Sequence, residues 1–372
     1  MRIRRFMVAS ALLIAVAGVV SAQNMLPNGG FEASPDGTQV TGQDYIDATT
    51  FPGWRVFAVG GFGSTYTVTG AAAHSGAVGM EMAYDIAGAD SALDMDDPSL
   101  RLSIPTEQRI YKQLIDVRDG GAYGGSPHFT AGFQFPTAGY ANTIDPQANW
   151  ETMGLTGRSD GMGTLSVRYD MNPGGGVNKS VYIDNAQVID VTHADRMING
   201  GFENSDTRPI NWRFFAVAGA AGSATITNDA ASGSNAVLLE RTAAAGDSGL
   251  DLWNDRVATL GGETLHITFK ARKEWGDDAM LRLTLAAWDD LGNFQGDLVN
   301  YLVAGGDGAF DTYALDIPLY GNTALVSLAF RVTDANHAPS VGGFTIDDVV
   351  LMPEPTTLAL LGLGLLAAFR RR

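Results

Sequence analysis

Cysteine is absent from the 372-residue chain, which removes disulfides, thiolate zinc sites, iron–sulfur ligation and cysteine nucleophiles together. Charge is scarce, at 17% of residues, and basic charge scarcer still: 24 Lys+Arg stand against 41 Asp+Glu, a formal net charge of −17. Such acidity repels phosphate backbones, and no basic stripe in the body offsets it, so nucleic acid is excluded as a partner. Histidine is sparse and scattered, at His74, His128, His193, His266 and His337, with no zinc-hydrolase spacing. A G-x-S-x-G elbow and a phosphate loop are missing too. What is present is enough apolar side chain, 45% of residues, to build sizeable cores rather than a disordered chain. The length suits two or three domains.

Both ends read as addresses. Residues 1–22 place Arg2, Arg4 and Arg5 before an apolar stretch and close on Val20-Ser21-Ala22, the order of a signal peptide with cleavage before Gln23. At the other end Pro353-Glu354-Pro355 precedes an apolar segment of 14 residues ending at Phe369, and the chain stops at Arg370-Arg371-Arg372. That segment is short of the ~20 residues of a comfortable membrane span, and the arginines favour a cytoplasmic terminus. The tail, 353–372, resembles the PEP-CTERM sorting signal of Gram-negative bacteria. The resemblance implies transient inner-membrane anchoring, cleavage by an exosortase near Pro353-Glu354-Pro355, and delivery to the cell surface or an exopolysaccharide or biofilm matrix. Without leader and tail the formal charge falls from −17 to −22, because six Arg and one Glu leave with them.

An internal repeat organises the body. Asn28-Gly29-Gly30-Phe31-Glu32 recurs as Asn199-Gly200-Gly201-Phe202-Glu203, and Trp54-Arg55 with Phe57-Ala58-Val59 recurs as Trp212-Arg213 with Phe215-Ala216-Val217. Each copy closes alike, Ile183-Asp184-Asn185 matching Ile346-Asp347-Asp348. The expected domains are 24–191 and 195–352, joined around Thr192-His193-Ala194. Copy one is longer between its Glu and its Trp, and the extra residues, with Asp36, Asp44 and Asp47, read as a surface loop. Runs such as Leu265–Ala271, Leu281–Leu285, Leu325–Val332, Phe129–Phe135 and Leu165–Tyr169 alternate apolar with polar residues and are bounded by Gly, Asn, Asp or Pro. With no long amphipathic helix, the expectation is an all-β chain of two tandem β-sandwiches between the signal peptide and a C-terminal sorting helix.

These repeated motifs resemble galactose-binding-like jelly rolls, and among them carbohydrate-binding modules of the family 4, 9 and 22 type. The resemblance implies a structural calcium in each copy, held by Glu32 with Asp184 and by Glu203 with Asp347. Calcium takes six to eight hard oxygens, and tight Gly-Gly segments can turn carbonyls inward beside a carboxylate. The alternative is that each Glu caps a turn or bonds across the sandwich edge without metal.

A polysaccharide partner calls for aromatic faces beside hydroxyl-bonding groups. The repeated Trp54 and Trp212 read as core. On the strand from Leu281, Trp288 falls on the polar face with Arg282 and Thr284, and is followed by Asp289, Asn293 and Gln295. Trp288, Asp289, Asn293, Gln295 and Arg282 are therefore the candidate ligand set, with Trp275 and Tyr301 as neighbours and Gln134, Tyr140, Asn142 and Trp150 as their counterparts in copy one. A carboxylate pair for glycoside hydrolysis would fall to Glu240 and Glu274. The copies lack matching acids there, so a non-catalytic binder is expected, with a structural matrix protein lacking a glycan ligand as the alternative.

Overall fold

The computed structural model describes residues 23–354, apart from 43–44, 60–63, 85–89, 122–127, 137, 173–178 and 253–254. The leader, Asp44, Pro355 and Arg370–Arg372 lie outside the described residues.

The alternating runs all become strands, and the strands form two sandwiches. In the first, one sheet runs Gln39–Gly42, Ser64–Thr69, Gly79–Tyr84, Lys179–Asp190, Ile110–Asp119, Glu151–Arg158. The other runs Gly139–Ile144, His128–Gln134, Thr164–Asn172, Asp90–Asp94, Arg55–Val59, Tyr45–Asp47. The second sandwich repeats the plan. One sheet runs Gly222–Thr227, Ala236–Arg241, Gly342–Pro353, Thr264–Trp275, with Asp311–Pro318 on the last. Its partner runs Arg213–Val217, Asp247–Asp251, Leu325–Thr333, Met280–Trp288, Phe294–Val303. Strands adjacent in the chain commonly belong to opposite sheets, and the non-sequential antiparallel neighbours make each unit a jelly roll.

Period-two alternation explains the layers: Leu281, Leu283, Leu285 and Ala287 are all fully buried, while Arg282, Thr284 and Ala286 point to the outer face. Each sandwich has its own apolar core, one around Phe31, Trp54 and Tyr169, the other around Phe202, Trp212 and Phe330. The repeated tryptophans are core, as their pattern indicated: Trp54 is 1% and Trp212 7% exposed. The insertion of copy one is not a plain loop. Gln39–Gly42 pairs with Ser64–Thr69 and Tyr45–Asp47 with Arg55–Val59, so it lends an edge strand to each sheet, anchored by buried Val40 and Phe51.

The two sandwiches dock. The edge strand Glu151–Arg158 would otherwise offer unpaired backbone groups, and the second sandwich covers it. Thr152 N–H donates to Asn204 O (3.0 Å), Asn211 Nδ2 to Gly154 O (2.8 Å) and Ala258 N–H to Thr156 Oγ1 (2.7 Å). Glu151, 1% exposed, receives Arg208 through Nε at 2.9 Å and Nη2 at 2.6 Å. The connection is tied down as well. Ile110 N–H donates to Thr192 Oγ1 (3.0 Å), and fully buried Arg196 grips both carboxylate oxygens of Glu263 while giving Nη2 to Thr192 O (2.9 Å).

The final strand ends where the sorting motif begins. Pro353 is its last residue, and Glu354 N–H donates to Thr264 O (2.8 Å).

Candidate functional site

The repeated signature is a stapled turn. Asn28 Nδ2 donates to Pro52 O (2.9 Å), Asn28 Oδ1 accepts from Ala33 N–H (3.1 Å), and Trp54 Nε1 donates to Asn28 O (2.9 Å). Asn199, Ile210, Asn204 and Trp212 repeat this at 2.8, 3.0 and 3.1 Å. The second glycine-rich requirement is steric: a Cβ on Gly29 or Gly200 would sit within 2 Å of Ala186 O or Val349 O.

The carboxylates assigned to calcium clamp a second turn in each copy, 74–78 in the first and 231–235 in the second. Glu32 Oε1 accepts from Ala77 and Val78 N–H (2.8 and 3.1 Å); Asp184 Oδ2 accepts from His74 and Ser75 N–H (2.8 and 2.9 Å), and its Oδ1 from Asn185 N–H (2.7 Å). In copy two Glu203 receives Ser234 and Asn235, and Asp347 receives Ala231, Ser232 and Asp348. Gly76 and Gly233, at φ of 68° and 64°, complete the clamp, because a Cβ there would meet the glutamate oxygen at 2.1 Å. Burial raises Asp184 and Asp347 above the usual carboxylate range, and the N–H donors oppose that rise. Five backbone N–H groups bind each pair, through Oε1 of the Glu and both oxygens of the Asp, which supports the metal-free clamp over calcium.

Accordingly, Asp184→Ala is expected to lower the melting temperature, since it strands three N–H groups at a cost of about 1–3 kcal/mol for a buried one. A chelator should leave the melting temperature of the parent chain unchanged, and a fall on chelation would restore the metal.

The ligand candidates do not converge. Trp288 is only 2% exposed, with the Arg256 guanidinium 4.0 Å from its ring centroid and Phe294 at 5.5 Å. It lies on the outer face, as the alternation indicated, but Arg256 from a remote segment and Phe294 from the adjoining strand cover it, so it is not an open stacking platform. Asp289 and Asn293 fasten a hairpin tip: Asp289 Oδ1 accepts from Leu291 and Asn293 N–H (3.0 and 2.8 Å), and Oδ2 from Asn293 Nδ2 (3.0 Å). Gln295 turns to another loop, donating to Asn322 Oδ1 (2.7 Å) and accepting from Thr323 (2.8 Å). Arg282 stands beside Arg331 across the ladder, and burial together with that second cation lowers its pKa.

Trp275 Nε1 donates to Glu240 (3.0 Å), and Arg272 engages Glu274, on the other sheet. In copy one, Trp150 stacks between His74 and Arg118, each at 4.9 Å. Gln134 lines a separate cavity with Asp96 and Arg101.

What the outer face of the second sandwich does form is a groove of about 150 Å³ between Asp251 and Arg331 at one end and Trp288 and Phe294 at the other. Its floor is small: Thr284, Ala286, Ser327 and Ala329. Arg213 fixes Asp251 with two bonds (3.0 and 2.8 Å), and Arg331 Nη1 donates to Thr284 Oγ1 (3.1 Å). Phe294 is 59% exposed and is the accessible ring here. Sequence reasoning passed over it, though it stands between Asn293 and Gln295, because aromatic type alone does not show which ring a neighbour will cover.

Residues 353–372 match the PEP-CTERM protein-sorting motif, which indicates export and C-terminal sorting. No curated protein matches the chain. Among solved structures, the tandem CBM22-1–CBM22-2 domain of Xyn10C from Paenibacillus barcinonensis is 14% identical, covering 87% of this chain and 99% of its own, with a TM-score of 0.32. The family 11 carbohydrate-binding module from Clostridium thermocellum, solved with a β-1,3-1,4-mixed-linked tetrasaccharide, is 16% identical over 42% of this chain and 95% of its own (TM-score 0.31). The enzymatically active domain of tailspike protein 4 of bacteriophage CBA120 is 18% identical, covering 43% of this chain and 21% of its own (TM-score 0.36).

Proposed function

We propose that the chain is an exported, non-catalytic protein that holds polysaccharide at a Gram-negative cell surface or in the extracellular matrix, after an exosortase has cut near Pro353-Glu354-Pro355. The observation carrying this reading is the groove floored by small side chains beside the exposed ring of Phe294. Carbohydrate recognition pairs an apolar face, which takes the C–H side of a pyranose, with fixed polar groups that bond its hydroxyls. Phe294 offers the face, and Asp297 and Arg331 offer the polar rim above the Thr284 hydroxyl on the floor.

The non-catalytic part of the reading draws on the carboxylates. Glu240 and Glu274 are engaged on a different sheet, and of the groove carboxylates Asp251 and Asp297 the first is tied to Arg213 by two bonds, which does not suit it to act as one of an acid–base pair.

The test is retention of the chain, residues 23–354, on immobilised bacterial exopolysaccharide and on a glycan array. Phe294→Ala is expected to weaken retention at least ~10-fold, the scale of a lost stacking contact, with an unchanged melting temperature. Trp288→Ala is unsuitable for this purpose, because removing a buried tryptophan costs about 3–5 kcal/mol. The covering of Trp288 and Trp150 favours a second reading, a structural matrix protein with no glycan ligand. Failure of the parent chain to retain any glycan selects it.

A further inference from the structure

Docking of the two sandwiches leaves an open cleft of about 350 Å³ lined by Tyr140, Asn142, Leu155 and Thr156 from the first and by Asp255, Arg256 and Leu325 from the second. This volume falls within the ~300–1,000 Å³ of small-molecule sites. Two acceptor atoms at this joint lack donors. Asp255 Oδ1 is buried without a hydrogen-bond partner among the described residues, and so is Oδ1 of Asn211, whose Nδ2 reaches Asp255 Oδ2 at 3.3 Å. Asn211 itself is 6% exposed and held in the left-handed region at φ 67°. Buried acceptors without donors are costly and mark places where a donor is missing.

We propose that this interdomain cleft is a binding site for a single glycosyl unit, whose hydroxyls donate to Asp255 while Arg256 and Thr156 serve its oxygens. The chemistry of the lining selects the class. An anion is opposed by the Asp255 carboxylate. A metal ion needs several converging oxygen ligands, and Asp255 is the one carboxylate of the lining. A neutral ring bearing hydroxyls matches the mixture of one carboxylate, one guanidinium, amides and a hydroxyl against the apolar walls of Leu155, Leu325 and Tyr140. Thr156 Oγ1 already accepts from Ala258 N–H (2.7 Å), which leaves its own proton to donate outward.

The site differs from the groove and neighbours it. Arg256 lines the cleft and stacks on Trp288, and Trp288 lines the groove. The proposal rests on the glycan reading only for the chemical class of its ligand.

The experiment titrates the chain, residues 23–354, with glucose, galactose, mannose and xylose separately, followed by saturation-transfer NMR and calorimetry. Parent, Asp255→Asn and Phe294→Ala are compared, together with retention of all three on exopolysaccharide. Above about pH 7, where Asp255 is ionised, at least one monosaccharide is expected to bind the parent and Phe294→Ala alike and to bind Asp255→Asn at least ~10-fold more weakly, as for a lost charge-assisted hydrogen bond. Absence of monosaccharide binding to the parent, or equal binding to Asp255→Asn, overturns the proposal. Loss of exopolysaccharide retention on its own leaves it standing and removes the groove reading instead.

Discussion

Replacing Arg196 with alanine is expected to lower the melting temperature by roughly 10 °C. Arg196 is fully buried in the connection and bonds both oxygens of Glu263, which is itself 15% exposed at the side chain. Breaking such a pair from one side leaves an uncompensated carboxylate, at a cost of about 3–5 kcal/mol. Glu263 Oε1 also accepts from Leu260 N–H (2.8 Å), so the loss extends to a neighbouring turn. Arg196→Lys should recover little, since one ammonium cannot serve both Glu263 oxygens and Thr192 O in the fork geometry. Thermal unfolding followed by circular dichroism decides the matter. A shift of only about 1 °C would mean that the pair adds nothing beyond a surface contact.

Asp255→Asn should act in the opposite direction, and only above mildly acidic pH. Burial at the joint raises the Asp255 carboxyl from 3.8 to about 7, and bonds from Asn211 and Asn142 offset only part of that rise. In the unfolded chain the group ionises near 3.8, whereas the fold holds its proton until about 7. Stability is therefore complete below about pH 4 and declines as pH rises toward 7. An amide does not titrate, so the variant escapes this decline. Three pKa units correspond to about 4 kcal/mol, and partial exposure of the side chain reduces the expected gain to about 1–3 kcal/mol. Melting curves of parent and variant should coincide near pH 4 and separate above pH 7, with the variant higher. A constant offset at every pH would assign the effect to packing. A carboxylate that costs stability at a cleft is the pattern of a site kept for binding.

Much of the fold was legible because it rests on local regularities. Period-two alternation located Leu281–Leu285 and Leu325–Val332, and the repeated Asn-Gly-Gly-Phe-Glu and Trp blocks required that one sandwich plan occur twice. The same alternation set Trp288 on the outer face. It could not reveal that Arg256, 32 residues earlier, stacks over that ring, because covering is a property of pairs remote in sequence. The role of Asp184 shows the same limit: its motif was visible, but the N–H groups of His74 and Ser75 reach it from more than a hundred residues away. The insertion of copy one was misread because its polar composition masks Val40 and Phe51, which tie it to the core. The joint was the least legible part. Asp255 acquires its setting only when Asn211 and the edge strand Glu151–Arg158 meet around it, and no spacing in the chain encodes that meeting.

Pro353 has a mechanical meaning. The strand it ends, Gly342–Pro353, runs between Ala236–Arg241 and Thr264–Trp275, antiparallel to both. A pull exerted through the tail acts along this strand, at right angles to its hydrogen bonds. The bonds on both flanks then share the load in shear and must yield together instead of opening one at a time. Because Glu354 is still bonded to Thr264, the sheet's hydrogen bonding continues one residue past the strand. A load on the chain while its tail is still attached would thus reach the second sandwich along the length of this strand.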